Sequence, residues 1–137
     1  MAEFDLPLMR CGCGRIVCFE TLIAVAGLTR LAAALAAIQT FVPGLMQLRS
    51  SDLAIQRVGD IWCKITAELL HSLILTVDLN VIILGGGLSK IDGMAANLQT
   101  ALYDTLLSPL KDTEILCAQG SDASGARGAA FMAWQNV

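Results

Sequence analysis

The stretch that decides the fold is Val81-Ile82-Ile83-Leu84-Gly85-Gly86-Gly87-Leu88-Ser89. Val, Ile and Ile suit the pleated surface of a buried strand, and the glycines bound the run at strand length. Three successive glycines remove every Cβ where strand turns toward helix, so a second backbone or a flat ligand can come close. Ser89 is a favoured N-cap residue, and Asp92 stands where a capping-box acid belongs, so a helix is expected to open at Ser89. Ligands of α/β sheets gather just past the carboxyl ends of the strands, where this turn lies. A tight strand–helix turn with no ligand fits these residues equally well, and the rest of the chain decides between the two.

Upstream, Ser51 is expected to cap a long amphipathic helix. Its apolar stripe reads Ile55, Val58, Ile61 and Trp62, Ile65, Leu69, Leu73 and Val77, at helical spacing and suited to core packing. Asp78-Leu79-Asn80 then turns the chain into the strand. Further back, Thr21 to Ala37 reads as helix with a possible break at Gly27, and Phe41 to Ser51 as a connector punctuated by Pro43-Gly44. Downstream, Ile91, Met94, Leu98, Leu102 and Leu106 share one face of a helix running to about Leu107. Gly93 weakens its first turn and Pro109 stops it. Lys111-Asp112 is a turn, Thr113 to Ala118 a second short strand, and Gly120 to Gly125 a loop. Ala126 to Gln135 forms a last helix, and Gly125, Gly128, Ala129 and Ala130 would let it pack closely against a sheet or a nucleotide. Strands alternating with helices predict parallel pairing in an α/β fold.

A second cluster stands near the start: Arg10-Cys11-Gly12-Cys13-Gly14-Arg15-Ile16-Val17-Cys18-Phe19-Glu20. The spacing C-x-C-x4-C with two interspersed glycines makes a compact group of soft ligands, the kind tetrahedral zinc favours. Arg10 and Arg15 are expected to lower the thiol pKa values. Three ligands leave a structural zinc site one short. His71, the single histidine, sits within the long helix on an apolar stretch and reads as a core or surface residue rather than the fourth ligand. Free thiols or a local disulfide are the alternatives to zinc.

Composition narrows the setting. The 137 residues suffice for one domain with a real core. They are 55% hydrophobic with 15% charged, against a usual ~25% charged, and mean hydropathy is +0.66. Either the chain meets a membrane or its apolar faces await a partner. The best span, Leu22 to Ile38, is interrupted by Arg30 and falls short of the ~20 residues a crossing needs. The run from Leu69 to Leu88 contains His71 and Asp78, so no membrane insertion is expected. The N-terminus has no basic region of a signal peptide, and five cysteines in such a chain indicate a reduced, cytoplasmic setting. A net charge of -3, with no basic stripe, argues against nucleic acid as partner.

Three motifs thus occur in order: Cys11 to Glu20, Ile83 to Ser89, and Ser124-Gly125-Ala126-Arg127-Gly128-Ala129-Ala130. Together they resemble the C-terminal part of a ROK-family sugar kinase, with the closest likeness to the bacterial fructokinase and mannokinase branch, over about residues 8 to 134. The resemblance implies the two-domain actin-like ATPase (ribonuclease H-like) fold, of which residues 1–137 would be a partial C-terminal domain. Residues 10–20 would be its zinc-type cysteine loop and 80–135 its nucleotide-side α/β unit, with the N-terminal domain absent. It implies transfer of the γ-phosphoryl of Mg-ATP to a sugar hydroxyl, structural zinc on Cys11, Cys13 and Cys18, and a sugar contact from Glu20. Gly85, Gly86 and Gly87 match the turn beside the adenosine of ATP.

The departures from the pattern bear on function. No stretch here matches the family's phosphate-binding loops, its general-base aspartate, or the histidine that completes the zinc site. Val17 stands where glycine is usual, and Ala24-Val25 where Ser-Gly is usual. Because phosphoryl transfer depends on positioning and charge stabilisation of the phosphates, the chain is expected to be an inactive part of a fructose- or mannose-type hexose kinase. Its expected partners are sugar, ATP, and a second copy or the missing N-terminal half. The alternative is a non-catalytic, truncated binding module of the same family.

Overall fold

The computed structural model describes residues 8–16, 18–39, 51–106, 112–119 and 123–135. The connector at Pro43-Gly44, the helix stop at Leu107 and Pro109, the turn residue Lys111, the loop start at Gly120 and the Val17 departure lie outside the described residues. The described elements are α1 (Glu20–Ile23), α2 (Val25–Ala36), α3 (Leu53–Val77), β1 (Val81–Leu84), a 3-10 turn (Gly87–Lys90), α4 (Met94–Thr105), β2 (Glu114–Cys117) and α5 (Ser124–Gln135).

The two strands pair in parallel, Val81 opposite Glu114 through Leu84 opposite Cys117, as the alternation of elements predicts. Strand alternation sends Ile82, Leu84 and Ile115 to one face, where they pack against Ala67, Leu70 and Ile74 of α3 and Leu98 and Leu102 of α4. The Gln99 side chain clamps the second strand to α4: its Oε1 accepts from the Ile115 N–H at 2.7 Å, and its Nε2 donates to the Thr113 carbonyl at 3.1 Å. The opposite face is open, with Val81 45%, Ile83 66% and Leu116 43% exposed. The apolar run of β1 therefore suits a sheet covered on both faces, and among the described residues only one is packed against helices.

Four local expectations are corrected. The N-cap of α3 is Asp52, not Ser51: the Asp52 carboxylate accepts from the Ala54 N–H at 2.8 Å. The buried stripe of α3 follows the expected line through Ile55, Val58, Ile61, Trp62 and Ile65, then passes to Ala67, Leu70 and Ile74. Leu73 and Val77 are exposed. Each four-residue step overshoots a full turn by ~40°, so the line Ile65-Leu69-Leu73-Val77 rotates off the core.

Nor does α4 open at Ser89. Ser89 sits in the 3-10 turn, where its hydroxyl donates to the Gly86 carbonyl at 2.8 Å. The helix starts after Gly93, whose left-handed backbone (φ 75°) is open to glycine at little cost, and whose carbonyl accepts the first helical bond from Asn97 at 2.9 Å. Asp92 accordingly precedes the helix and is not a capping-box acid.

The N-terminal helix breaks at Ala24, which is extended (ψ 168°), rather than at Gly27. Gly27 instead lets α2 lie on α1, because a Cβ there would overlap the Leu22 backbone. Gly27→Ala is therefore expected to destabilise the chain by about 1–3 kcal/mol through overpacking, read as a lowered urea midpoint. An unchanged midpoint would show that the two helices can slide apart at no cost.

The first core gathers Leu22, Leu28, Leu31, Ile55, Val58 and Trp62 between α1, α2 and α3, with Met94 from the start of α4. Every described residue of α5 is exposed, so its small residues meet no sheet within the described chain. Its aromatic pair, Phe131 and Trp134, has ring centroids 6.0 Å apart and meets solvent. Among the described residues no helix is long and apolar enough to cross a membrane.

Candidate functional site

Backbone geometry gathers the cysteines. Arg10 bridges Ile16 in antiparallel fashion. The Cys11 N–H donates to the Arg15 carbonyl at 2.8 Å, and the Gly14 N–H to the Cys11 carbonyl at 2.9 Å. This narrow loop folds Cys11 and Cys13 back onto Cys18, so that all three Sγ atoms lie within 4.8 Å of one another. Cys13 Sγ and Cys18 Sγ are 3.5 Å apart, and Cys11 Sγ donates to Glu20 Oε2 at 3.5 Å.

The thiols perturb one another. Cys13 is held below the ordinary thiol value, first by a hydrogen bond from the Arg15 backbone and then by the neighbouring thiols of Cys18 and Cys11. Cys18 is pushed up to about 11, chiefly by its hydrogen bond with Cys13, then by burial and by Cys11. The Arg15 main chain, rather than the two flanking guanidinium charges, is thus the leading influence on Cys13. Tetrahedral zinc with sulfur at ~2.3 Å spaces its sulfurs about 3.8 Å apart. The observed cluster has that size, and the donor set has the softness zinc selects. Cys11, Cys13 and Cys18 therefore fit a zinc ion. His71 is not in the cluster: it lies on α3, with its Nε2 buried and unpartnered.

Glu20 opens α1 immediately after this loop. Two residues that sequence reading did not single out hold it there. Thr21 is 2% exposed, and its hydroxyl donates to the Cys18 carbonyl at 2.6 Å. Arg30, from α2, donates to the Thr21 carbonyl at 3.2 Å. Neither signals itself by periodicity or motif, because each acts through the main chain.

At the glycine turn, a Cβ on Gly85, Gly86 or Gly87 would meet nothing within 4 Å. Packing within the described chain is therefore not what excludes side chains here. Gly86 adopts φ 80° and ψ -173°, a region essentially restricted to glycine. Cys117, also unsignalled in sequence, ends β2 opposite Leu84, and its thiol lies 3.5 Å from the Ser89 carbonyl, against the same turn. Ser124 and Gly125 open α5 and are exposed.

A parallel strand–helix–strand unit joined to a helical thiol-loop segment defines a partial domain of the actin-like ATPase fold, shared with its structural neighbours. The structure of a ROK hexokinase from Thermus thermophilus superposes with a TM-score of 0.73 at 27% identity, over 90% of this chain and 43% of that one. A crystal structure from Cytophaga hutchinsonii gives 0.69 at 24% identity, over 92% and 46%, a likeness of fold. The profile of the ROK family matches residues 3–136, and the chain belongs to that family. Among curated relatives, an N-acetylgalactosamine kinase of Shewanella sp. is 36% identical over 130 residues, 93% of this chain and 42% of its own length. An N-acetyl-D-glucosamine kinase of Escherichia fergusonii is 32% identical over 133 residues, 96% and 44% respectively. The chain thus spans a little under half the length of these relatives. They are amino-sugar kinases, so the fructokinase and mannokinase likeness is not carried by them.

Proposed function

We propose that this chain is the zinc-bearing, adenosine-side portion of an ATP-dependent sugar kinase. The observation that carries this reading is the convergence of Cys11, Cys13 and Cys18 within 4.8 Å of one another, with the Glu20 carboxylate on the nearest thiol. Zinc on the three thiolates would supply a rigid anchor for the loop. Glu20, fixed two residues beyond Cys18 by a short helix, accepts hydrogen bonds from sugar hydroxyls, a task that needs a preorganised acceptor. Gly85, Gly86 and Gly87 leave room past the carboxyl end of β1 for the adenosine of Mg-ATP.

The amino-sugar specificity of the relatives favours an N-acetylhexosamine as substrate over fructose or mannose. We infer that the chain alone binds without turning over, because no stretch of it matches the base aspartate or the phosphate loops that in-line transfer requires. The open apolar faces, Val81, Ile83 and Leu116 on the sheet and Phe131, Met132 and Trp134 on α5, suit cover by a second copy or by an N-terminal half, in a cytoplasmic setting.

Metal analysis of the purified chain, with ATP and N-acetylglucosamine titrations, tests this reading. One zinc per chain and saturable ATP binding without sugar phosphorylation are expected. Absence of both ligands would defeat the proposal, and turnover would defeat the assignment of an inactive part. Gly86→Ala is expected to weaken ATP at least severalfold, since its φ costs a Cβ-bearing residue ~1–3 kcal/mol. Gly85→Ala, without that backbone demand, isolates steric blocking of the ligand. Equal ATP affinity in both variants and the parent would remove the turn from the nucleotide site.

A further inference from the structure

We propose that Thr21 is a positioning residue that locks Cys18 to the Glu20 helix, so that filling the thiol cluster rigidifies the carboxylate that faces sugar. This inference rests on the zinc reading above and adds a residue and a coupling to it.

With four residues, α1 is far too short to be stable alone, so its position comes from ties to the rest of the chain. Among the described residues, three side chains tie α1 through main-chain carbonyls. The Trp62 indole Nε1 of α3 donates to the Ile23 carbonyl at 2.9 Å. The Arg30 guanidinium of α2 donates to the Thr21 carbonyl at 3.2 Å. These two fasten α1 to the scaffold and touch no thiol-bearing residue.

The third tie differs. The Thr21 hydroxyl reaches back to the Cys18 carbonyl at 2.6 Å, and the Thr21 N–H donates to the same oxygen at 2.9 Å. One carbonyl thus takes both donors of one residue, which closes the turn Cys18-Phe19-Glu20-Thr21. The Cys11 thiol contacts Glu20 at 3.5 Å, so the loop meets Glu20 from the other side as well. Thr21 is buried, and removal of its hydroxyl leaves the Cys18 carbonyl with a single donor. Cys18 is then held to α1 by the Thr21 N–H bond alone and more weakly fixed relative to it, while the Arg30 and Trp62 ties keep α1 on the scaffold.

Thr21→Val keeps the shape and removes the donor; Thr21→Ser keeps the donor. Thr66→Val is the control for loss of a buried threonine hydroxyl, since Thr66 donates to the Trp62 carbonyl at 2.8 Å within α3. The probe is Co(II), followed by its thiolate charge-transfer absorption and by competition with zinc. Amide hydrogen exchange over residues 20–24 is followed with and without metal. Thr21→Val is expected to lose about tenfold in Co(II) affinity, the low end for groups that orient metal ligands, and to lose the metal-dependent protection of those amides. Thr21→Ser and Thr66→Val are expected to retain both. Parental affinity and protection in Thr21→Val would overturn the coupling while leaving the zinc reading intact. Loss of both in Thr66→Val as well would reduce Thr21 to a packing residue and overturn the proposal. Failure of the parent chain to bind Co(II) would defeat the zinc reading and this inference with it.

Discussion

Cys18→Ser is expected to abolish stoichiometric zinc binding, weakening the metal by at least a hundredfold. The three thiols converge within 4.8 Å, and Cys18 is the member that joins the loop to the Glu20 helix. A serine hydroxyl is a hard, weakly acidic donor that cannot replace a thiolate at a soft site. Structural zinc sites hold their metal with apparent free energies of about 10–16 kcal/mol, so one of three protein thiolates carries a share well above the ~2.7 kcal/mol that a hundredfold represents. The measurement is zinc content after dialysis, followed by competition with a chromophoric chelator. A thermal consequence follows by mass action. Zinc at a hundred times its dissociation constant stabilises a folded chain by ~2.7 kcal/mol, so the parent should melt higher with zinc and Cys18→Ser should not. Cys117→Ser, at the far end of β2, is the control and keeps its zinc. Equal zinc in Cys18→Ser and the parent would show that the metal, if bound, is held elsewhere.

The parts of the fold that sequence alone discloses are those set by neighbouring residues. Val81 to Leu84 forms a strand because β-branched residues precede a glycine stop, and β2 lies within the expected Thr113 to Ala118 segment. Their parallel pairing follows from the helix between them. The cysteine cluster was legible for the same reason: close spacing and two glycines let one loop gather three thiols. The failures share another cause. Ala24 breaks the first helix because α2 turns back onto the Leu22 backbone, a contact recorded locally only in the absence of a side chain at Gly27. Leu73 and Val77 match the periodic stripe and still face solvent, because the core that meets α3 changes from α1 and α2 at one end to α4 and β2 at the other.

The glycine turn shows both outcomes at once. Its strand and its position past a carboxyl end were readable, but the helix start was not. Ser89 has the chemistry of a cap and spends its hydroxyl on the Gly86 carbonyl, while Gly93, expected to weaken the helix, is the residue that admits it. For the candidate site, the ligand-type side chains were readable and their supports were not. Thr21 and Arg30 act through main-chain carbonyls, and no residue-type pattern announces such contacts.

The largest expected loss of stability comes from Trp62→Ala, at about 3–5 kcal/mol for truncation of a buried aromatic. Trp62 is 5% exposed and belongs to the core shared by α1, α2 and α3. Its indole also donates to the Ile23 carbonyl at 2.9 Å, at the end of α1, where the chain turns at Ala24. Carbonyls at a helix end lack intrahelical partners, and one left without a donor in a part-buried position costs roughly 1–3 kcal/mol. Truncation thus opens a cavity and strands a carbonyl in one step, against a total stability of ~5–15 kcal/mol typical of a domain. Trp62→Phe separates the two effects, since it keeps most of the volume and removes the donor, with an expected cost of about 1–3 kcal/mol. Urea unfolding followed by circular dichroism reads both variants. Because α1 carries Glu20 and, among the described residues, this indole makes its one side-chain hydrogen bond to α3, the phenylalanine variant should also show faster amide exchange in α1 than the parent does. Exchange in α1 no faster than in the parent would mean that the packing of Leu22 and the Arg30 and Thr21 ties suffice to fix α1, and that the indole hydrogen bond contributes only to the stability of the core.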